Sequence, residues 1–559
     1  MADEPLNIQE SKLLLDTDNA NTGNDSSNAE TRFLYLSCLV VAFGFFTLGY
    51  DLGSISGSMV FISDYFSLTY LWHELLVSLA IGPAIVGALF SGYSNEIFGR
   101  KLTLLVSAVI FIAGSLVMAC AFSANMLLLG RILTGISFGF MNVSSNMYIA
   151  EFAPARIRGR LISYGSTFVA GALFSAALIS GIFSEDKING WRYMLGLGAV
   201  PALFLCFGIL LVPESPRWLI SKGREKAAVK VLQKLRGLED VYDEIYEIKH
   251  HHKLAKQEGS SWNILFRILQ VPNTRRALLI ACGLMAFQQL SGINTILYYV
   301  ATIIQMSGVK NKSTAVWLGV AAAFTSFIFT SITIFTVERL GRRKLLLTTT
   351  AGVFLALVML GITFHFDAQH SPVVTKVINS RHSCFGMSSC NECLYNQMCG
   401  FCYFERVGTV QNASCVPLES YSSTTSLYCS PDFKLLRYYG CPSTTVINAL
   451  AVIGLVLYLA CFAPGLASIP YVVTSEIFPL WARSAGIACA MSTGYLLNVL
   501  VAMTFLHGSR FFTKAGWFGL SAGFALLGWI FIYFLLPETK GKRLEHVSEI
   551  FSKSSETID

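Results

Sequence analysis

The sequence predicts an all-α integral membrane protein. Twelve transmembrane helices fall into two six-helix pseudo-repeats, with a small disulfide-rich insertion on the outer side. Three observations predict this: the composition, a dozen apolar stretches of spanning length, and motifs that recur at the inner ends of both halves. Hydrophobic residues make up 53% of the 559 residues and charged residues 13%. A soluble chain carries about 25% charged residues. This chain cannot cover a globular surface with polar groups, so lipid must be part of its solvent. A cytosolic enzyme, a coiled coil and a disordered chain are excluded. The net charge of +7 is small for the length and leaves no nucleic-acid footprint.

Apolar stretches of about 20 residues cross a bilayer as helices. They lie at 33–62, 71–92, 102–123, 126–148, 162–183, 192–212, 277–305, 315–337, 344–366, 444–474, 484–508 and 515–537. Residues 1–32 are rich in Asn, Ser, Asp and Glu and read as a disordered cytoplasmic N-terminus, without a cleaved signal peptide. Lys and Arg collect on the cytoplasmic side. With the N-terminus inside, 29 of the 41 fall in inner segments and 11 in outer loops, and Arg131 lies within a helix. The inner segments include the long linker 213–276, where short surface helices are expected, and the C-terminus 538–559.

The two halves repeat each other. Glu96-x-x-Gly99-Arg100-Lys101 returns as Glu338-x-x-Gly341-Arg342-Arg343, offset by 242. Glu151-Phe-Ala-Pro with Arg158 returns as Glu476-Ile-Phe-Pro with Arg483, offset by 325, and Pro213-Glu214 as Pro537-Glu538. Such repeats mark alternating-access transporters. They give a bundle over 33–212 and a second over 277–366 and 444–537. Between the eighth and tenth helices the offset grows by 83, the size of an insertion.

That insertion is the outer segment 367–443. It holds Cys384, Cys390, Cys393, Cys399, Cys402, Cys415, Cys429 and Cys441. An even cysteine set in a short outer segment reads as a disulfide-stapled module, whose pairing sequence does not choose. Cys390-x-x-Cys393 and Cys399-x-x-Cys402 also have zinc-ligand spacing. Asn311-Lys-Ser313 and Asn412-Ala-Ser414, both in outer loops, are glycan acceptor sequences.

Over about 33–545 the chain resembles the sugar porter family of the major facilitator superfamily. The residues that carry the resemblance are Gly49-Tyr50-Asp51, Gly130-Arg131, Pro213-Glu214-Ser215-Pro216-Arg217-Trp218, Gln288-Gln289-Leu290-Ser291-Gly292-Ile293-Asn294, Gly341-Arg342-Arg343 and Pro537-Glu538-Thr539-Lys540-Gly541. It is most similar to the proton/myo-inositol branch, cysteine-rich insertion included. Cys390-Asn-Glu-Cys393 and Cys399-Gly-Phe-Cys402 look like a plexin–semaphorin–integrin-type module. The resemblance implies two bundles around a central polyol or monosaccharide site. It implies symport of myo-inositol or a related polyol or hexose, with the proton as coupling ion and no other cofactor. A facilitative hexose transporter and a non-transporting sensor that uses the outer module are the alternatives.

Asp51 is the only charge in its apolar run, and Arg131 the only one in 126–148. A lone charge at that depth is costly, so the two are expected to pair. Protonation of Asp51 would loosen the pair and couple proton uptake to a conformational change. A purely structural ion pair is the plainer reading. Gln288, Gln289 and Asn294 carry amides suited to hydroxyls. On a regular helix Asn294 would point roughly 120° and 140° away from the two glutamines. A helix loosened at Ser291-Gly292 would gather them. Plain interhelical hydrogen bonding is the alternative.

By resemblance these three contact substrate, and Tyr298 and Tyr299 form the outer gate. Ser166, Ser326 and Tyr471 stand where the family carries Gln, Asn and Trp. Gly494-Tyr495 replaces Asn-Trp, while Asn498 is kept. These changes put the substrate's identity, more than its class, in question. Glu96, Arg100, Glu151, Arg158, Glu338, Arg342, Glu476 and Arg483 read as inner ion pairs that lock the cytoplasmic side, with plain topology signals as the alternative. No metal site and no enzymatic constellation stands out. Glu10-x-x-x-Leu14-Leu15 resembles an acidic dileucine signal, so a plasma-membrane protein with endosomal or lysosomal trafficking is expected.

This topology is tested with an antibody tag at position 400. The tag should be reached on unpermeabilised cells, and labelling only after permeabilisation would reverse the orientation.

Overall fold

The computed structural model describes residues 31–538, apart from 187, 258–260, 310, 376–383, 385–386, 396–398, 407–408, 418–428, 430–432, 437–440, 442–444 and 479–481. The trafficking signature at 10–15 and the tail from 539 lie outside these residues.

Among the described residues, twelve spans form in the expected order. Eight are single helices: Arg32–Tyr65, Arg100–Ala119, Ala124–Phe152, Ala155–Phe183, Lys312–Leu340, Arg342–Gln369, Arg483–Phe511 and Thr513–Leu535, the first, third, fourth, fifth, eighth, ninth, eleventh and twelfth. Four come in two pieces. The second is Tyr70–Ser78 with Ile81–Phe98, and the sixth Gly190–Gly196 with Ala199–Leu211. The seventh is Pro272–Leu290 with Ile293–Met306, and the tenth Thr445–Phe462 with Ile469–Ile477. Several helices outrun their apolar stretches at the inner end. The second continues past 92 to Phe98, and the fifth starts at Ala155, before 162. Backbone hydrogen bonding carries a helix beyond the hydrocarbon that started it.

The tenth span departs from the uninterrupted run expected over 444–474. Pro464 has no N–H and a fixed φ, and the helix stops at Phe462. It resumes at Ile469 with Pro470 in its first turn, where a missing N–H costs nothing. The inner linker folds into short helices as expected, at Pro216–Ser221, Glu225–Arg236, Tyr242–Gln257 and Ser261–Gln270. Arg236 joins it to the first bundle, pairing with Glu244 at 2.7 Å and donating to the Phe152 carbonyl at 2.9 Å.

The repeated inner motifs work as helix caps. Glu214 accepts the backbone N–H of Arg100 at 3.0 Å and of Lys101 at 3.1 Å, at the start of the third span. Glu538 does the same for Arg342 at 3.0 Å and Arg343 at 3.1 Å, at the start of the ninth. A carboxylate there meets orphan donors and the positive end of the helix dipole. Burial pushes the Glu214 carboxyl above the usual carboxylate range, against the backbone N–H groups and Arg100, which pull it down. Gly99 at φ +93° and Gly341 at φ +86° make the turn. A Cβ on either would collide with the capping carboxylate. The Gly-Arg motif of one helix and the Pro-Glu motif of another are therefore two halves of one contact.

The insertion is a compact module on four disulfides: Cys384–Cys399, Cys390–Cys441, Cys393–Cys415 and Cys402–Cys429. Both CxxC pairs are split among different partners, which removes the zinc reading. Strands β1 (Cys399–Arg406), β2 (Thr409–Pro417) and β3 (Lys434–Leu436) form an antiparallel sheet in the order β2-β1-β3. Phe401, Tyr403 and six of the cysteines (all but Cys402 and Cys429) fill its core beside the short helix Cys390–Tyr395. Asn311 and Asn412 are both exposed.

Replacing residues 380–442 by a short linker should leave both bundles folded and some transport, since the first half has no counterpart of the module. Complete loss at normal surface expression would show that the module is needed. Glu214→Ala, which strips the cap from the third span, should destabilise the protein by about 1–2 kcal/mol. Thermal unfolding in detergent reads this, and Glu214→Gln should fall between the two.

Candidate substrate and proton site

Asp51 and Arg131 meet in the first bundle. Arg131 Nη1 lies 2.9 Å from both carboxylate oxygens of Asp51. Its Nε donates to the Leu76 carbonyl at 3.0 Å and its Nη2 to that of Val77 at 3.4 Å, just before the break in the second span. The two residues are 4% and 1% exposed, so the charges have left water together. Removing either partner leaves the other buried and alone, the expensive case.

In the second bundle the seventh span breaks at Ser291-Gly292, where Gly292 takes φ +86°. The break redirects Ile293–Met306 and draws together the three amides that an unbroken helix would scatter. Asn294 Nδ2 donates to Gln289 Oε1. Gln289 Nε2 donates to Gln288 Oε1 at 3.1 Å, and Gln288 Nε2 to the Leu466 carbonyl at 2.6 Å, within the break of the tenth span. The Ser291 carbonyl accepts the Tyr458 hydroxyl at 3.1 Å. Two broken helices thus meet at one polar cluster, and discontinuous helices are what transporters build their sites from.

Tyr471 adjoins Gln288 and is 40% exposed despite its depth in the tenth span. Tyr298 is within electrostatic reach of both Asp51 and Arg131 and lies beside Asn498. The Oδ1 of Asn498 is buried and takes no hydrogen bond among the described residues. Ser166 and Ser326 are half-buried on the fifth and eighth spans, and no hydrogen bond among the described residues joins their side chains to the cluster. Two residues escaped the sequence reading. Asn142 of the fourth span donates to the Tyr495 hydroxyl across the bundle interface, and Asn146 donates to Asn142 Oδ1 at 3.1 Å. Two amides four apart in an apolar helix were the available signal.

The outer side is shut. Tyr298 and Tyr299 are fully buried. Tyr299 leaves helical geometry at φ −116°, donates to the Ala502 carbonyl at 3.2 Å, and packs against Phe505 at 4.8 Å and His73 at 5.6 Å between ring centres. Nearer the surface Asp64 pairs with Lys312, and Ser184 meets Ser313 at 2.6 Å, each joining the two bundles.

Of the residues read as inner ion pairs, two pairs form among the described ones. Arg100 pairs with Glu151 at 2.8 Å and Arg342 with Glu476 at 3.1 Å, each pair inside a single bundle. Helix ends that start and stop together within a bundle put these groups side by side, so neither pair ties one bundle to the other. Both are formed while the outer side is closed. Glu96 is exposed and forms no ion pair among the described residues. The side chains of Arg158, Glu338 and Arg483 lie outside the described residues.

The model of the family described as "Sugar (and other) transporter" matches residues 37–393 and 434–551. The chain is 44% identical to the human proton myo-inositol cotransporter, over 93% of this chain and 82% of that one. It is 33% identical to the probable inositol transporter 2 of Arabidopsis thaliana, over 91% of this chain and 89% of the relative. Among solved structures it resembles the proton:xylose symporter XylE, a major facilitator superfamily protein, bound to 6-bromo-6-deoxy-D-glucose. That likeness has a TM-score of 0.68 at 23% identity and covers 93% of this chain and all of the other. Twelve spans, an internal repeat, broken seventh and tenth helices at one polar cluster and these likenesses agree: the chain is a multi-pass membrane protein of the sugar transporter family.

Proposed function

We propose that this protein is a secondary active transporter that carries myo-inositol, or a related polyol or hexose, together with a proton by alternating access. The observation that carries the reading is the buried Asp51–Arg131 pair, with Tyr298 beside it and next to Asn498. The relatives named for proton-coupled inositol transport support the substrate class. Gln288, Gln289, Asn294 and Asn498 are the proposed substrate contacts, with Tyr471, Ser166 and Ser326 as the wall that sets selectivity. Asn498 Oδ1 is a buried acceptor suited to a substrate hydroxyl, and a site built for hydroxyls rejects analogues that lack them. Asn142 and Tyr495 belong to the same wall.

In the cycle, a proton on Asp51 neutralises the carboxylate and weakens its hold on Arg131. The second span, which Arg131 grips through the Leu76 and Val77 carbonyls, is then free to shift. Substrate biases the same equilibrium only as far as it binds the two states unequally. The inner pairs Arg100–Glu151 and Arg342–Glu476 fix the helix ends of each bundle so that it moves as a body. Plasma-membrane placement, a dileucine-directed endosomal route and glycans on Asn311 and Asn412 complete the proposal.

Asp51→Asn keeps the shape and removes the charge. It should abolish accumulation against a gradient and the inward current in acidic medium, while exchange of labelled inositol survives. Full pH-dependent, current-carrying uptake by this variant would return the pair to a structural role. Absence of inositol and hexose uptake by the unaltered protein, in acidic and neutral medium alike, would favour a sensor.

A further inference from the structure

Beyond the tyrosines, the bundles meet at a carboxylate that no motif announces. Glu74, in the outer piece of the second span, is 1% exposed. Its Oε1 accepts the backbone N–H of Leu506 at 2.7 Å and of His507 at 3.0 Å, and its Oε2 faces His507 Nδ1. Leu506 and His507 lie inside the eleventh span, which runs on to Phe511. In a regular α-helix such amides point to the carbonyls four residues back, here those of Ala502 and Met503. A side chain that takes them inserts into the helical ladder. The Ala502 carbonyl meanwhile accepts the hydroxyl of Tyr299, the residue at which the seventh span kinks.

One carboxylate from the first bundle therefore holds two main-chain donors of the second. The pair Asp64–Lys312 at the rim is different, with side chains 54% and 34% exposed. Exposed pairs contribute little, whereas a buried carboxylate with charge-assisted bonds to fixed amides is both strong and costly to abandon. The amides have somewhere else to go. Once the bundles part, they can turn to their own helical carbonyls, and Glu74 reaches water. Each state satisfies its polar groups, as a two-position gate requires.

We propose that Glu74 is the latch of the outer gate, a positioning residue that holds the outer side closed through the main chain of the eleventh span. The inference rests on the alternating-access reading above. Without the latch the outward-open population rises. Outside substrate should then half-saturate at a lower concentration, because apparent affinity scales with the competent fraction. Turnover should fall, because closing over the bound substrate has lost its lock.

The test is thiol accessibility on intact cells. Leu506→Cys places a reporter beside the latch and leaves the backbone amide in place, and Cys120→Ser removes an exposed outer thiol. With Glu74 present, a membrane-impermeant maleimide should react slowly. With Glu74→Ala the rate should rise about tenfold or more, the size expected if the open population grows by that factor. KM for outside inositol and turnover should both fall. Glu74→Gln keeps one acceptor oxygen and should be intermediate. Labelling needs no transport, so a failed symport reading would leave this result standing. Unchanged labelling and unchanged KM in Glu74→Ala at normal surface amounts would overturn the latch. If that variant does not reach the surface, unchanged labelling in Glu74→Gln has the same force.

Discussion

In hydrocarbon every charge and every opened backbone group must find its partner within the protein, and the working parts of this molecule are the places where that rule is met at closest range. Asp51 has Arg131. The Ser291 carbonyl, at the break of the seventh helix, has Tyr458, and the Leu466 carbonyl, within the break of the tenth, has Gln288. The third and ninth helices start on carboxylates borrowed from the sixth and twelfth. None of these groups can be removed singly without stranding another, so the polar centre is fixed although it lies among apolar helices.

The same rule explains how a rigid bundle can contain a movable site. Of the four divided spans, three break at a polar cluster, at Leu79–Ala80, Ser291-Gly292 and Ala463–Ser468, where the freed groups are satisfied by neighbours. The sixth breaks at Leu197–Gly198, away from these clusters, and the remaining helices are continuous. Rearrangement is cheapest where hydrogen bonds can be exchanged one for another, and those places coincide with the site.

The spans, the repeat and the insertion were legible in the sequence because each rests on composition or spacing, which chain order preserves. The pairing of Asp51 with Arg131 was legible because lone buried charges have few escapes. Other features depend on contacts between distant segments. The break in the tenth span was hidden inside an unbroken apolar run. Pro213-Glu214 and Gly99-Arg100 were seen as repeats, but their contact, which explains both, needs the third and sixth spans side by side. The disulfide partners are set by a three-stranded sheet that spacing does not encode. Glu151, Arg100, Glu476 and Arg342 were read as members of inner ion pairs, but which acid meets which base needs the helix ends of one bundle side by side. Asn142 and Asn146 were passed over because two amides in a long helix are ordinary until Tyr495 is seen opposite.

The cysteine-rich module leaves the membrane from the ninth span and returns into the tenth, both of the second bundle. The segment that leaves the ninth span folds straight into it, with Val374 donating to Ser388 and Thr375 to Ala413, each at 2.9 Å. It is therefore a handle on one moving body alone. A molecule that grips only the handle travels with the second bundle and leaves the cycle free. One broad enough to rest on the first bundle as well becomes a wedge or a clamp. The size and reach of whatever binds outside, more than its affinity, then decides whether it is a passenger or a brake.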